Sequence, residues 1–256
     1  MHYVVCIVPL APIRIQPDHK SEMMSQLLFG EYAVITEVDK SGWVKIIGKA
    51  DGYTGWCQQM QLQQIDITLY ESTAPVLAAG WSNELDYDGQ VMIVPFGSSL
   101  NKIKNGKLVW GKNIISFAGE TWKLPKTTID SATIEDIAFT FINTPYVWGG
   151  RSVFGIDCSG FVQAVYKFLN IALLRDAHQQ VTQGEVVSFL QQANCGDLAF
   201  FDNVAGEIIH VGILLNEHEI IHASGKVRID KIDNEGIVNI DNGERTHRLR
   251  VIKRHF

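Results

Sequence analysis

Cys158 follows a glycine-bearing loop, Trp148-Gly149-Gly150, and opens an apolar stripe of helical period made of Phe161, Val162, Val165, Tyr166 and Leu169. A thiol at the first turn of a helix meets unpaired backbone N–H groups and the positive end of the helix dipole, which favour a thiolate. The same N–H groups can hold the oxyanion that forms when sulfur attacks a carbonyl. Such a nucleophile needs a base within hydrogen-bond reach and a third group to orient that base. Strand alternation offers His210 and His222 for these roles. In the run 208–215, His210, Gly212 and Leu214 share one face, and Gly212 leaves room beside an imidazole. A three-residue connection, Asn216-Glu217-His218, would set Gly212 opposite His222. Both imidazoles would then lie on one face, about 7–8 Å apart at Cα. A two-residue connection would put them on opposite faces.

Taken alone, each residue has a plainer reading. A free cysteine is usually buried and inert, and a lone half-buried histidine is usually just hydrogen-bonded. The three together favour chemistry. Zinc would require a close Cys/His pair and a fourth ligand, and neither is evident, so no metal or other cofactor is expected.

The elements that must position these groups follow from periodicity. Ile134, Ile137, Ala138 and Phe141 recur at helical spacing ahead of Pro145. Strand-like runs follow at 197–201, 208–215, 219–223, 227–229 and 249–252. Helices followed by strands indicate an α+β domain with an antiparallel sheet. The front of the chain reads instead as short strands, at 4–8, 32–38 and 43–47, with turn signals at Gly30, Ser41-Gly42 and Asp51-Gly52. That pattern suggests a small β-barrel. Residues 66–128 repeat the style through apolar runs at 91–96 and 108–110. The expected domains are a barrel at 1–65, a second small β domain at 66–128 and the α+β domain at 129–256.

Composition sets the remaining bounds. Of 256 residues, 46% are hydrophobic and 20% charged, as in ordinary globular proteins. The net charge of −6 argues against nucleic acid or anionic membrane as partner. The four cysteines are scattered without paired spacing, so reduced thiols are expected, with Cys6, Cys57 and Cys195 structural. The apolar run near the start has no preceding Lys or Arg and no small-residue cleavage site, and no segment approaches the roughly 18 apolar residues of a membrane span. A cytoplasmic location is the resulting expectation.

Residues from about 130 to 256 resemble the NlpC-type family of papain-like cysteine peptidases, which cleave cell-wall peptides. The resemblance rests on Pro145-Tyr146-Val147-Trp148-Gly149-Gly150, Asp157-Cys158-Ser159-Gly160-Phe161, Gly196-Asp197-Leu198-Ala199-Phe200-Phe201, His210-Val211-Gly212-Ile213 and Ile221-His222-Ala223. It implies a papain-like α+β fold with Cys158 as nucleophile, His210 as base and His222 as the residue orienting it. It also implies that Tyr146 lies near the reacting carbonyl, and that Asp157, Ser159 and the Arg175-Asp176 segment contact substrate. Ala177 stands where the family often has serine, which removes one expected polar contact.

The front of the chain resembles a bacterial SH3-like barrel, through Pro12-Ile13-Arg14, Gly30-Glu31, Gly42-Trp43-Val44 and Gly52-Tyr53-Thr54-Gly55-Trp56. The combination is similar to γ-D-glutamyl-L-diamino acid endopeptidases that recycle wall peptides. In that group the barrel is held to narrow the cleft for short peptides with a free N-terminal L-alanine. Glu22 and Tyr53, with Glu31 as a fallback, become candidates for reading that amine. The expected partner is a murein tripeptide or similar short peptide. Two other functions stay open: a murein endopeptidase acting on intact wall, and a non-catalytic wall-binding protein. The joint presence of Cys158, His210 and His222 speaks against the latter, and acyl transfer to an amine is a further possibility of the same thioester.

Overall fold

A computed structural model describes residues 2–72, 76–124 and 129–256. The chain divides into two units, Met1–Leu124 with Trp148–Val153, and Pro125–Val147 with Phe154–Phe256.

In the first unit, β1 (His2–Cys6), β2 (Leu10–Arg14), β3 (Met23–Leu28), β4 (Tyr32–Val38), β5 (Trp43–Gly48), β6 (Thr54–Gln58) and β7 (Leu62–Gln64) form one sheet in the order β3-β2-β6-β5-β4-β1-β7. Alternation along these strands sends Val4, Cys6, Ile13, Val44, Ile46 and Cys57 into a shared apolar core. A short helix, α1 (Ile67–Tyr70), then leads to β8 (Val76–Ala78), β9 (Ser82–Tyr87), β10 (Gln90–Pro95), β11 (Lys107–Trp110), β12 (Asn113–Phe117) and β13 (Thr121–Lys123). Strands β9 to β12 make a four-stranded sheet in the order β10-β9-β12-β11, and β8 pairs with β13.

A second core joins this stretch to the first sheet, with Val5, Phe29 and Tyr32 packed among Leu85, Trp110 and Phe117. Gly30 permits the approach: at φ 78°, a Cβ there would fall 1.9 Å from the Ser99 carbonyl oxygen. The regions expected at 1–65 and 66–128 therefore share a core, and the expected boundary at 128 falls on residues outside those described. The same unit includes β14 (Arg151–Ser152), where Arg151 Nη1 lies 2.8 Å from Glu31 Oε2 with both side chains buried.

The second unit begins with α2 (Ser131–Phe139), capped by Asp130, whose carboxylate accepts from the Thr133 N–H. Next come β15 (Gly155–Ile156), α3 (Cys158–Phe168), α4 (Ala177–Gln180), β16 (Glu185–Val187), β17 (Leu198–Asp202), β18 (Ile208–Leu214), β19 (Glu219–Ser224), β20 (Lys226–Asp233), β21 (Gly236–Val238) and β22 (Arg245–Arg254). The sheet runs β16-β22-β17-β18-β19-β20-β21, and β22 also pairs with β21. Strands β17 to β22 thus close into a six-stranded antiparallel barrel, with β16 on its outside. Helix α3 packs against β18 and β19. The unit is α+β with an antiparallel sheet, as its sequence pattern indicates. No helix among the described residues is long and apolar enough to cross a membrane.

Candidate active site

The start of α3 is fixed by a buried ion pair. Asp157 is its N-cap and accepts from the Gly160 N–H at 2.7 Å. Arg175, 1% exposed, donates to both carboxylate oxygens at 3.0 and 2.6 Å and to Ser159 Oγ at 2.9 Å. A buried guanidinium without a counter-ion would be strongly destabilising, so this carboxylate serves at once as cap and as partner. Cys158, the first helical residue, is buried. Its burial and the neighbouring Asp157 charge push the thiol up to about 11, against the pull of the Val211 and Ser159 backbone groups and of Arg175. Burial and the capping carboxylate thus work against the thiolate that a helix start favours.

The candidate base, His210, is built on the inner face of the barrel. Gly212 pairs with His222 across β18 and β19, and the Leu215 N–H donates to the Glu219 carbonyl at 2.9 Å, the register that a three-residue connection gives. His210 Nε2 lies 2.8 Å from His222 Nδ1, and His222 Nε2 lies 3.0 Å from Asp230 Oδ2. All three side chains are buried. Gly212 is needed between them, since a Cβ there would meet His222 Cβ at 2.8 Å. The His247 ring stacks on His210 with centroids 4.1 Å apart. Burial, then the charges His222 and His247 would carry, hold His210 well below the ordinary histidine range, and burial lowers His247 to about 4.

His210 is thus a neutral imidazole on β18, and the Cys158 thiol meets the backbone of Val211, the next residue. A neutral thiol and a neutral imidazole are suited to general-base attack, with the proton moving as sulfur engages the carbonyl. Asp230 and His247 were not found by sequence reasoning. They lie just beyond strands read as 227–229 and 249–252. A polar residue two positions from Ile232 on an inward face was the available signal.

Tyr146 is half-buried. Burial, then the charges of Cys158 and Asp157, raise its hydroxyl above the ordinary tyrosine range, so it remains a hydrogen-bond donor. Ser159 is buried and its hydroxyl accepts from Arg175. Asp176 is half-buried at the start of α4, where its N–H donates to Gln179 Oε1 at 3.1 Å, and Ala177 beside it is buried. Glu22 and Tyr53 belong to the first unit. Glu22 is exposed and accepts from Trp148 Nε1 at 2.7 Å; Tyr53 is half-buried ahead of β6, with its N–H donated to Asp51 Oδ1 at 3.0 Å. Glu31, the fallback reader of the amine, is buried, paired with Arg151 and accepting from the Leu28 N–H, which marks it as structural.

Residues 143–243 match the NlpC/P60 family, and residues 13–62 match the bacterial dipeptidyl-peptidase SH3 domain. The chain carries an NlpC/P60 domain. Its relatives include the gamma-D-glutamyl-L-lysine dipeptidyl-peptidase of Bacillus subtilis (strain 168), 29% identical over 78% of this chain and 72% of that protein. Dipeptidyl-peptidase 6 of Lysinibacillus sphaericus is 25% identical over 90% of this chain and 92% of that protein. In fold, the chain is similar to an NlpC/P60 family protein from Bacillus cereus ATCC 10987, with a TM-score of 0.83 at 20% identity over 98% and 99% of the two chains. The chain thus joins an NlpC/P60 domain at 143–243 to a bacterial SH3 domain at 13–62, and it is similar to proteins named as peptidases.

Proposed function

We propose that the chain hydrolyses the γ-D-glutamyl–diamino acid bond of short murein peptides whose N-terminal L-alanine is free. The observation that carries the peptidase chemistry is the buried line from His210 through His222 to Asp230, set beside a thiol at a helix start. The names of the relatives support the bond and the free N-terminus. All four cysteines are free, in keeping with action in a reducing cytoplasm on peptides already released from the wall.

In this reading, Cys158 Sγ bonds to the γ-D-glutamyl carbonyl carbon as its proton passes to His210. N–H groups at the start of α3 and the Tyr146 hydroxyl donate to the oxyanion. The C–N bond then breaks, and His210 returns the proton to the departing amine. Water adds to the thioester with His210 again as base, releasing the peptide acid and restoring the thiol.

The test is kcat/KM for free L-Ala-γ-D-Glu-diamino acid tripeptides against their N-acetyl forms and a glycan-linked muropeptide. Losing one member of a buried charge pair costs about 2–5 kcal/mol. Asp157 already has Arg175 as partner, so the N-acetyl penalty belongs at the lower end, about 30-fold. Comparable rates on all three substrates would overturn the proposal in favour of an enzyme that acts on intact wall.

A further inference from the structure

We propose that Asp230 sets the tautomers of both buried histidines and thereby decides which nitrogen of His210 acts as the base; the inference rests on the peptidase reading above. A neutral imidazole has one N–H and one lone pair, whereas an ionised carboxylate only accepts. Burial works to raise Asp230, yet hydrogen bonds from His222, the Ile240 N–H and Arg228 outweigh it and hold the carboxyl below its ordinary range. Asp230 is therefore ionised at neutral pH. His222 Nε2, 3.0 Å from Oδ2, must carry the proton it donates there. Arg228 Nη2 lies 2.8 Å from Asp230 Oδ1 and also 2.8 Å from the exposed Asp241, and a second proton on the fully buried His222 would place another cation where charge is costly. With the proton on Nε2 as its one ring proton, His222 presents a lone pair at Nδ1. His210 Nε2, 2.8 Å away, must donate to it, which leaves His210 Nδ1 as the free lone pair able to take the thiol proton.

The direction is locked by what holds the other carboxylate oxygen. Asp230 Oδ1 accepts from Arg228 Nη2 at 2.8 Å and from the Ile240 N–H at 2.9 Å. Both are fixed donors. In Asp230→Asn they retain the amide oxygen and turn the NH₂ toward His222 Nε2. His222 must then accept at Nε2, donate from Nδ1 and reverse His210, whose proton moves to Nδ1. The shape survives while the base loses its lone pair. A glutamine at 222 does not transmit this order, because its amide rotates to offer oxygen to His210 whatever stands at 230.

The test uses the full chain with ¹⁵N-labelled histidine at neutral pH. In the wild type, His210 is expected to carry its proton on Nε2, and in D230N on Nδ1. With the L-Ala-γ-D-Glu-diamino acid tripeptide, D230N should lower kcat by on the order of 10³-fold or more, the scale known for an asparagine that inverts a catalytic histidine, with KM little changed. The same substitution placed on His222→Gln should cost less than about tenfold. A wild-type His210 protonated on Nδ1, or an equal loss in the two backgrounds, would overturn the proposal. The wild-type spectrum decides even if D230N folds poorly. It needs no substrate, so its failure is distinct from failure of the peptidase reading, which the tripeptide assay decides.

Discussion

The two seven-stranded sheets of this chain bury cysteines in different company. In the first unit, Cys6 and Cys57 sit among Val4, Ala33, Val44 and Ile46. In the second, Cys158 opens a helix against a barrel whose inner face carries His210, His222, Asp230 and the half-buried His247. Burial is the leading influence on all three thiols, lifting Cys6 well above its ordinary value, Cys57 to about 12 and Cys158 to about 11. Burial alone therefore does not separate Cys158, the proposed nucleophile, from the thiols of the first unit. What separates them is a neutral base held in one orientation. The lesson is that reactivity in this fold is built on the strands opposite the cysteine.

The sharpest way to break this comparison is to remove one thiol from each unit. Cys158→Ala should reduce tripeptide turnover to background and leave the urea unfolding midpoint nearly unchanged. Cys57→Ala should do the reverse, keeping kcat/KM and lowering stability by about 1 kcal/mol through a small cavity. Loss of activity in Cys57→Ala would mean that the first sheet acts in the chemistry.

A smaller effect should come from one glycine in each sheet. Gly212→Ala drives a Cβ to 2.8 Å from His222 Cβ. Displacing that imidazole by a fraction of an ångström should lower kcat by about 10- to 100-fold. Gly55→Ala is as crowded, with its Cβ 2.5 Å from Ile13 Cγ2. There the expected cost is about 1–3 kcal/mol of stability, with kcat unaffected. Steady-state kinetics and denaturation of both variants would show whether crowding is read as catalysis in one sheet and as stability in the other.

The smallest effect concerns pH. His247 is lowered from the ordinary value near 6.5 to about 4, and His210 is lowered too. The unfolded chain then binds protons in this window that the folded chain refuses, so stability is present above about pH 6.5 and declines as pH falls toward about 4. His247→Phe keeps an aromatic ring beside His210 and should make the decline shallower. An unchanged slope would show that His247 is not a source of it.

The candidate catalytic elements were legible because their signals are local. A cysteine at a helix start and two histidines placed by alternation and one loop length can be read from neighbouring residues. The register of Gly212 with His222 is the one a three-residue connection dictates. Asp230 and His247 were not legible, because they reach the site through strand pairing across the barrel and not through spacing along the chain. Ile220 faces Asp230, and Ile237 faces His247. The forces on the Cys158 thiol were legible only in part: the helix end is visible in sequence, whereas the depth of burial and the Arg175 pairing of its capping aspartate are not. In residues 66–128 only β10 and β11 stood out, since their partners β9 and β12 mix Asn, Glu, Asp and Ser into the apolar pattern.

Closure of the barrel by β22 also bears on how a peptide can be recognised. A sheet that ends in an unpaired strand invites an extended polypeptide to add itself as the next strand, through backbone hydrogen bonds that ignore side-chain identity. Here β17 to β22 each have a neighbour on both sides over at least part of their length, and β16, at one end of the strand order, is only three residues long. Ordinary protein strands therefore find little ladder to join on the barrel that holds the histidines. A γ-linked peptide containing a D-residue, which lacks the regular backbone repeat that a ladder requires, gives up nothing by its absence. On the function proposed above, selection between the two kinds of chain would fall to side chains and loop amides, where a short and unusual ligand can be told from an abundant common one.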